Sequence, residues 1–146
     1  MTSEAIANPG VRAELSAIYQ LGSSFGQTVI NNLASDGSTT PEGEVDFGSS
    51  TTDENLWFVQ NGSDLQVDLL GTSDQLTIKG WFSGNARAQV ASFDTADGLK
   101  LDTQVEQLVT AMATYSANNP TFNPVTATQM PTDTSLQNAI ASAWHT

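Results

Sequence analysis

Hydrophobic and polar residues alternate along three short runs between Leu56 and Phe82. Asn61-Gly62 offers the residues of a tight primed turn after the first run, and the turn-forming residues 71–74 follow the second. The pattern predicts a three-stranded β-meander with one face turned toward a core. Its core-facing residues, two positions apart within each run, are Leu56 and Phe58, then Leu65, Val67 and Leu69, then Leu76 and Ile78.

Shorter patterns flank the meander. Asn8 and Pro9 are typical of a helix start, and apolar residues at helical spacing up to Ile18 predict an N-terminal helix over residues 1–18. Residues 19–50 predict two short strands around a long polar loop, and Val90–Phe93 predicts a fourth strand after the meander.

Two helices are predicted toward the C-terminus. Thr103 and Glu106 have the spacing of a capping box, which predicts a helix to about residue 115 that packs on the sheet. Residues 116–146 form a proline-containing tail of low charge, with a last helix that begins near Asp133. The chain is thus divided into 1–18, 19–115 and 116–146. The predicted fold class is α+β, a small and mostly antiparallel meander or β-roll remnant flanked by helices.

Charge restricts the partners of this chain. Sixteen acidic residues against four basic ones give a net charge of −12, which repels nucleic acids and anionic membrane surfaces and favours cations such as Ca²⁺. The absence of cysteine excludes disulfides and thiolate zinc sites. No apolar run reaches the roughly 18 residues of a membrane span, and no signal-peptide pattern is seen at the N-terminus.

Enzymatic chemistry finds little support in the sequence. The single histidine is His145, at the penultimate position, where mobility disfavours a positioned base. No glycine-rich phosphate loop with a lysine and no basic stripe with aromatic residues is present. We therefore expect a protein that is not an enzyme and does not bind nucleic acid.

Acidic residues in and beside the polar loop are the candidate metal ligands. Ca²⁺ takes six to eight oxygen ligands, so several carboxylates must converge. The candidates are Asp36, Glu42, Glu44 and Asp46, and the alternative is a solvated acidic loop. The other conspicuous acids, Asp64, Asp74, Asp94 and Asp97, lie in turn sequences and are expected to have a conformational role.

The segment from about Leu56 to Tyr115 resembles a known family. The motifs that show the resemblance are LWFVQNGSDLQVDLLGTSDQLTIKGWF at 56–82, FDTADG at 93–98 and LDTQVEQLVTAMATY at 101–115. They are similar to the haemolysin-type calcium-binding protein related domain, a C-terminal module of RTX proteins. The resemblance implies calcium-assisted folding, a preceding β-roll in a longer parent chain, a secreted location, and export by type I secretion machinery that reads the C-terminal tail.

Comparison with the RTX calcium repeat weakens the metal hypothesis at one position. GSSFGQTVI at 22–30 matches the glycine-rich repeat loosely, but Thr28 stands where the repeat has its aspartate. We therefore interpret this stretch as the frayed end of a β-roll that has lost a ligand.

The first functional hypothesis, implied by the resemblance, is a non-catalytic module that caps the β-roll and carries the export signal, and two alternative functions stand beside it. By strand parity, Trp57 and Trp81 lie on the meander face opposite Leu56. We expect that face to be covered, but exposed rings would offer a surface for carbohydrate or for self-association. The third hypothesis is an acidic inhibitor of a basic protein partner, whose affinity would fall steeply with salt.

Overall fold

The computed structural model describes residues 18–22, 25–31, 43–84 and 88–146. Apart from Ile18, the predicted N-terminal helix lies outside these residues. The eight strands are β1 (Ile18–Gln20), β2 (Gln27–Ile30), β3 (Glu44–Asp46), β4 (Leu56–Asn61), β5 (Asp64–Leu69), β6 (Gln75–Ile78), β7 (Ser92–Asp94) and β8 (Lys100–Leu101). The two helices are α1 (Val105–Asn118) and α2 (Thr134–Ala143).

The strands form two four-stranded sheets, which confirms the α+β class. The first sheet has the order β1-β3-β7-β8 and the second has the order β2-β6-β5-β4. Early in the chain, successive strands alternate between the sheets. The described pairings are half parallel, with β1–β3, β3–β7 and β2–β6 parallel and the other three antiparallel. The sheets are therefore mixed rather than mostly antiparallel.

The three strands expected between Leu56 and Phe82 are consecutive and antiparallel. β4 pairs with β5 from Leu56↔Leu69 to Asn61↔Asp64, and β5 pairs with β6. Only Gly62 and Ser63 separate β4 from β5, and Gly62 has a φ of 63°. A positive φ at the first loop position alone matches a type II′ turn, one of the two primed turns that suit strand twist.

The core lies between the two sheets. One row of side chains crosses the first sheet at full burial, and its members are Tyr19, Val45, Phe93 and Leu101. The Phe93 ring meets Phe58 of the second sheet edge-on at a centroid separation of 5.6 Å. Strand alternation therefore places the neighbouring residues of β3 and β7 on the outer face of the first sheet.

Helix α1 packs on β4 and on α2. Its buried residues are spaced so that they share one face of the helix, and they are Val105, Leu108, Val109 and Met112. The predicted capping box is absent, because the N-cap is Gln104, one residue after Thr103, and Gln104 makes no side-chain cap bond. By contrast, Asp133 caps α2 as expected and accepts a hydrogen bond from the Leu136 amide. Neither described helix has the length and apolar character of a transmembrane span.

The edge strands of the two sheets differ in how they are covered. The edges formed late in the chain, β4 and β8, are called the late end of the strand stack, and those formed first, β1 and β2, are called its early end. At the late end, the Phe58 amide of edge strand β4 donates to the Met112 sulfur of α1, and His145 bridges to Lys100 of edge strand β8. At the early end, β1 and β2 are the edge strands of their sheets within the described residues. Ile18 and Val29 on these two strands are 54% and 52% exposed.

Candidate cation site on the first sheet

A polar row crosses the outer face of the first sheet beside the buried row. Its members are direct cross-strand partners in the order Gln20, Asp46, Asp94 and Lys100. Glu44 and Ser92 form the adjacent partner pair on β3 and β7. Like charges directly opposite each other destabilise a sheet, so the pairing of Asp46 with Asp94 is unfavourable unless a positive charge lies nearby.

Three carboxylates converge on this face. One carboxylate oxygen from each of Glu44, Asp46 and Asp94 lies within 4.8 Å of the other two. Ca²⁺ binds oxygen at roughly 2.3–2.6 Å, so two of its ligands are at most about 5 Å apart. The three oxygens thus have a spacing that one calcium ion can bridge, and an all-oxygen donor set is the one that Ca²⁺ prefers.

Hydrogen bonding leaves part of the cluster without a partner. Asp46 Oδ1 is buried and accepts no hydrogen bond from any described residue. Asp94 differs, because its Oδ1 accepts from the Ser92 hydroxyl at 2.8 Å and its Oδ2 lies 3.3 Å from Lys100 Nζ. A buried oxygen without a donor is costly unless a cation or water reaches it. Asp46 therefore fits the role of a metal ligand.

The protonation of Glu44 reflects the crowding of negative charge. Its pKa is raised from 4.5 to about 7, first because the protonated carboxyl can donate a hydrogen bond to Asp46, and then because of burial and the negative charges of Asp46 and Asp94. Near neutral pH, Glu44 can therefore hold a proton that it shares with Asp46, while Lys100 pairs with Asp94. A bound divalent cation would replace that proton.

A cavity of about 680 Å³ adjoins the cluster at the ends of β1, β3 and β7. Besides the three carboxylates, its lining consists of Gln20, Leu21, Gly22, Phe47, Gly48, Thr95 and Ala96. The space is much larger than one ion, so water molecules and neighbouring carbonyl groups have room to complete a coordination shell of six to eight oxygens.

The predicted metal ligands have different outcomes. Asp36 and Glu42 lie outside the described residues. Glu44 and Asp46 belong to the cluster, whereas its third member, Asp94, was expected to act only in a turn. Aligning EVD at 44–46 with SFD at 92–94 would have shown that both aspartates follow a core residue on equivalent strands.

Two of the aspartates expected in turns, Asp64 and Asp74, have conformational roles. Asp64 accepts from the Gly80 amide at 2.8 Å and pairs with Lys79. Asp74 reaches the Phe25 amide at 3.2 Å. Thr28 donates its hydroxyl hydrogen to the Phe25 carbonyl at 2.7 Å, so at this repeat-like position the side chain closes its own turn.

Trp57 and Trp81 do not form an exposed aromatic surface. Trp57 and Trp81 are 2% and 4% exposed, so the ligand-surface interpretation of these side chains is corrected. Trp57 is covered by Tyr115 and by Phe122, whose ring centroid is 4.5 Å away. Trp81 instead contacts Phe93 between the sheets at 5.8 Å. The parity argument fails for Trp81 because β6 ends at Ile78 and the chain then turns.

A further group of contacts fixes the last residues of the chain. His145 exchanges two backbone hydrogen bonds with Lys100, at 2.6 and 3.0 Å. Its ring nitrogen Nε2 lies 3.1 Å from Asp102 Oδ1, and this contact raises the pKa of His145 and lowers that of Asp102. The Trp144 side chain is buried beside Phe58, with ring centroids 6.3 Å apart.

Fold and site together define an α+β domain with an acidic, oxygen-only cluster on an outer sheet face. A comparison with models of protein families identifies a related domain. Residues 64–105 match the model of the haemolysin-type calcium binding protein related domain. The resemblance inferred from the sequence is confirmed over this stretch, which runs from β5 to the start of α1 and includes Asp94 and Lys100.

Proposed function

We propose that this chain is a non-catalytic, calcium-associated capping and export module of a secreted RTX-like protein. The observation that carries the proposal is the unequal covering of the two ends of the strand stack. α1 and His145 cover the edge strands β4 and β8, while β1 and β2 are the opposite edge strands of the two sheets and carry no such cover among the described residues. Such an end can accept one further turn of a parallel β-roll, and the covered end stops further pairing.

The register of the early strands supports the cap. β1 pairs with β3 and β2 pairs with β6. Both pairs are parallel, and their described residues match one to one without a bulge. A preceding coil of the same kind would place its two strands against β1 and β2. Leu21 donates to the Asp46 carbonyl and Lys79 donates to the Ile30 carbonyl, so the alternate residues Ile18 and Val29 direct their backbone groups outward.

A fusion experiment tests the cap. The chain is placed behind a parallel β-roll of known structure, and the melting temperature of that roll is measured. We expect the wild-type domain to stabilise the roll and the double variant Ile18→Pro/Val29→Pro to lose this effect, since proline removes outward N–H groups. Ile18→Ser/Val29→Ser is the matched control, because it changes the same side chains and keeps both donors. A roll that melts equally with all three domains would contradict capping.

Calcium is the cation that the site and the family match support together. The carboxylates of Glu44, Asp46 and Asp94 would hold the ion, and Asp46 Oδ1 would gain the partner that it lacks among the described residues. When bound, Ca²⁺ would supply the positive charge that cancels repulsion between β3 and β7. Folding in a calcium-rich exterior would then be favoured by mass action.

Export is proposed for residues 116–146. Within this segment the apolar side chains Leu136, Ile140 and Trp144 are buried in the folded domain. Machinery that reads these residues must therefore meet the chain before it folds. The test is a fusion of residues 116–146 to the C-terminus of a reporter, co-expressed with a type I exporter. Reporter in the medium is expected, and retention of the fusion inside cells with a working exporter would contradict this role.

A further inference from the structure

We propose that Lys100 is a built-in counter-ion of the acidic cluster that competes with the divalent cation and sets its affinity. The inference deepens the proposed calcium site and rests on it. Lys100 Nζ lies 3.3 Å from Asp94 Oδ2, so the ammonium group holds a carboxylate that the ion would use. Among the described residues, Lys100 is the basic residue whose side chain pairs with the cluster.

The backbone of Lys100 is held by hydrogen bonds on both sides, while its side chain is partly exposed to solvent. β8 pairs with β7 so that Lys100 is the direct partner of Asp94. On its other side, Lys100 exchanges two backbone hydrogen bonds with His145. The side chain itself is 41% exposed. The ammonium group can therefore swing into solvent when an ion binds, without loss of sheet pairing.

The energetic consequence follows from charge. In the absence of metal, the ammonium offsets part of the repulsion between Asp46 and Asp94, which are direct partners. A divalent cation must displace it and also overcome its repulsion. An exposed pair of this kind is weak, so we expect removal of the charge to tighten calcium binding by about two- to tenfold.

The experiment compares Lys100→Met with wild-type protein by calcium titration calorimetry and by thermal melts in EDTA and in Ca²⁺. Methionine removes the charge and adds no oxygen ligand. Lys79→Met is the matched control, because Lys79 Nζ lies 3.4 Å from Asp64 Oδ2 in a similarly exposed pair, and Asp64 is not in the cluster. Both variants change the net charge equally. Lys100→Arg retains the charge and is expected to bind calcium as wild type does.

Tighter binding by Lys100→Met, with Lys79→Met and Lys100→Arg close to wild type, supports the proposal. Equal or weaker binding by Lys100→Met, in a protein that binds calcium as wild type, overturns the role of Lys100 alone. An equal gain in both methionine variants also overturns it, because net charge would then be the cause. Absence of calcium binding in every variant overturns both this proposal and the calcium site. The EDTA melts verify that each variant is folded. If Lys100→Met is not folded, Lys100→Leu replaces it, because leucine also removes the charge and adds no oxygen ligand.

Discussion

Asp46 and Asp94 are direct cross-strand partners on adjacent parallel strands, and both carboxylates lie on the outer face of the first sheet. Two negative charges in this position raise the free energy of the folded state unless a cation lies nearby. The buried row on the opposite side of the same strands fixes this arrangement, because Val45 and Phe93 are fully buried. The core thus forces the two aspartates together, and their charge is the cost that a bound cation would offset.

Asp46→Asn should separate the effect of charge from the effect of calcium. In EDTA we expect the variant to be as stable as wild type or more stable by up to about 1 kcal/mol, because one like-charge contact is removed. Wild type at 100 times its dissociation constant for Ca²⁺ should gain about 2.7 kcal/mol, whereas the variant should gain much less. Urea unfolding with and without calcium measures both quantities, and Asp64→Asn serves as the control outside the cluster. An equal calcium gain in wild type and Asp46→Asn would contradict the site.

Glu44→Gln should change how stability depends on pH in the absence of metal. The folded-state pKa of Glu44 is raised from 4.5 to about 7, so the folded protein binds this proton more tightly than the unfolded chain does. Its stabilising contribution is complete below pH 4.5 and is lost as the pH rises through about 7. The free energy of unfolding of wild type minus that of Glu44→Gln should therefore fall between these two pH values. Urea titrations in EDTA measure it, with Glu106→Gln on α1 as the control. A difference that stays constant or rises would contradict the shift.

Gly62→Ala should destabilise the hairpin between β4 and β5. Gly62 has a φ of 63° and an added Cβ would meet no atom within 4 Å, so backbone strain is the only cost at this position. We expect a loss of about 1–2 kcal/mol. Gly22→Ala is the matched control, because its Cβ would also enter open space and no positive φ is recorded there. Thermal melts of the two variants compare them directly, and equal melting temperatures would contradict the role of the turn.

Local patterns predicted the parts of the fold that depend on neighbours in sequence. Alternation between Leu56 and Ile78 placed β4, β5 and β6, and Asp133 marked the start of α2. The parallel stacking of β1, β3 and β7 was not predicted. These strands have three residues each, too few for a periodic signal, and their register depends on contacts across long stretches of chain.

The candidate site was predicted in part for the same reason. Glu44 and Asp46 were recognised because they lie in one acidic stretch, while Asp94 is distant in sequence and looked like a turn residue. The contact of Lys100 with Asp94 depends on the pairing of β7 with β8. A charge pattern alone cannot reveal which acids share a sheet face, because that requires strand register.

Trp144→Ala should show that the last residues of the chain are part of the core. The Trp144 side chain is 4% exposed and lies beside Phe58, so its removal leaves a cavity next to Phe58 of β4. We expect a loss of about 3–5 kcal/mol in the free energy of unfolding. His145→Ala is the control, since it keeps the backbone bridge to Lys100 and removes only an exposed contact with Asp102. If Trp144→Ala unfolds at the same urea concentration as His145→Ala, the terminal segment does not contribute to the core. A large loss for Trp144→Ala alone would mean that the residues proposed to direct export also complete the fold, so that the two roles must be performed one after the other.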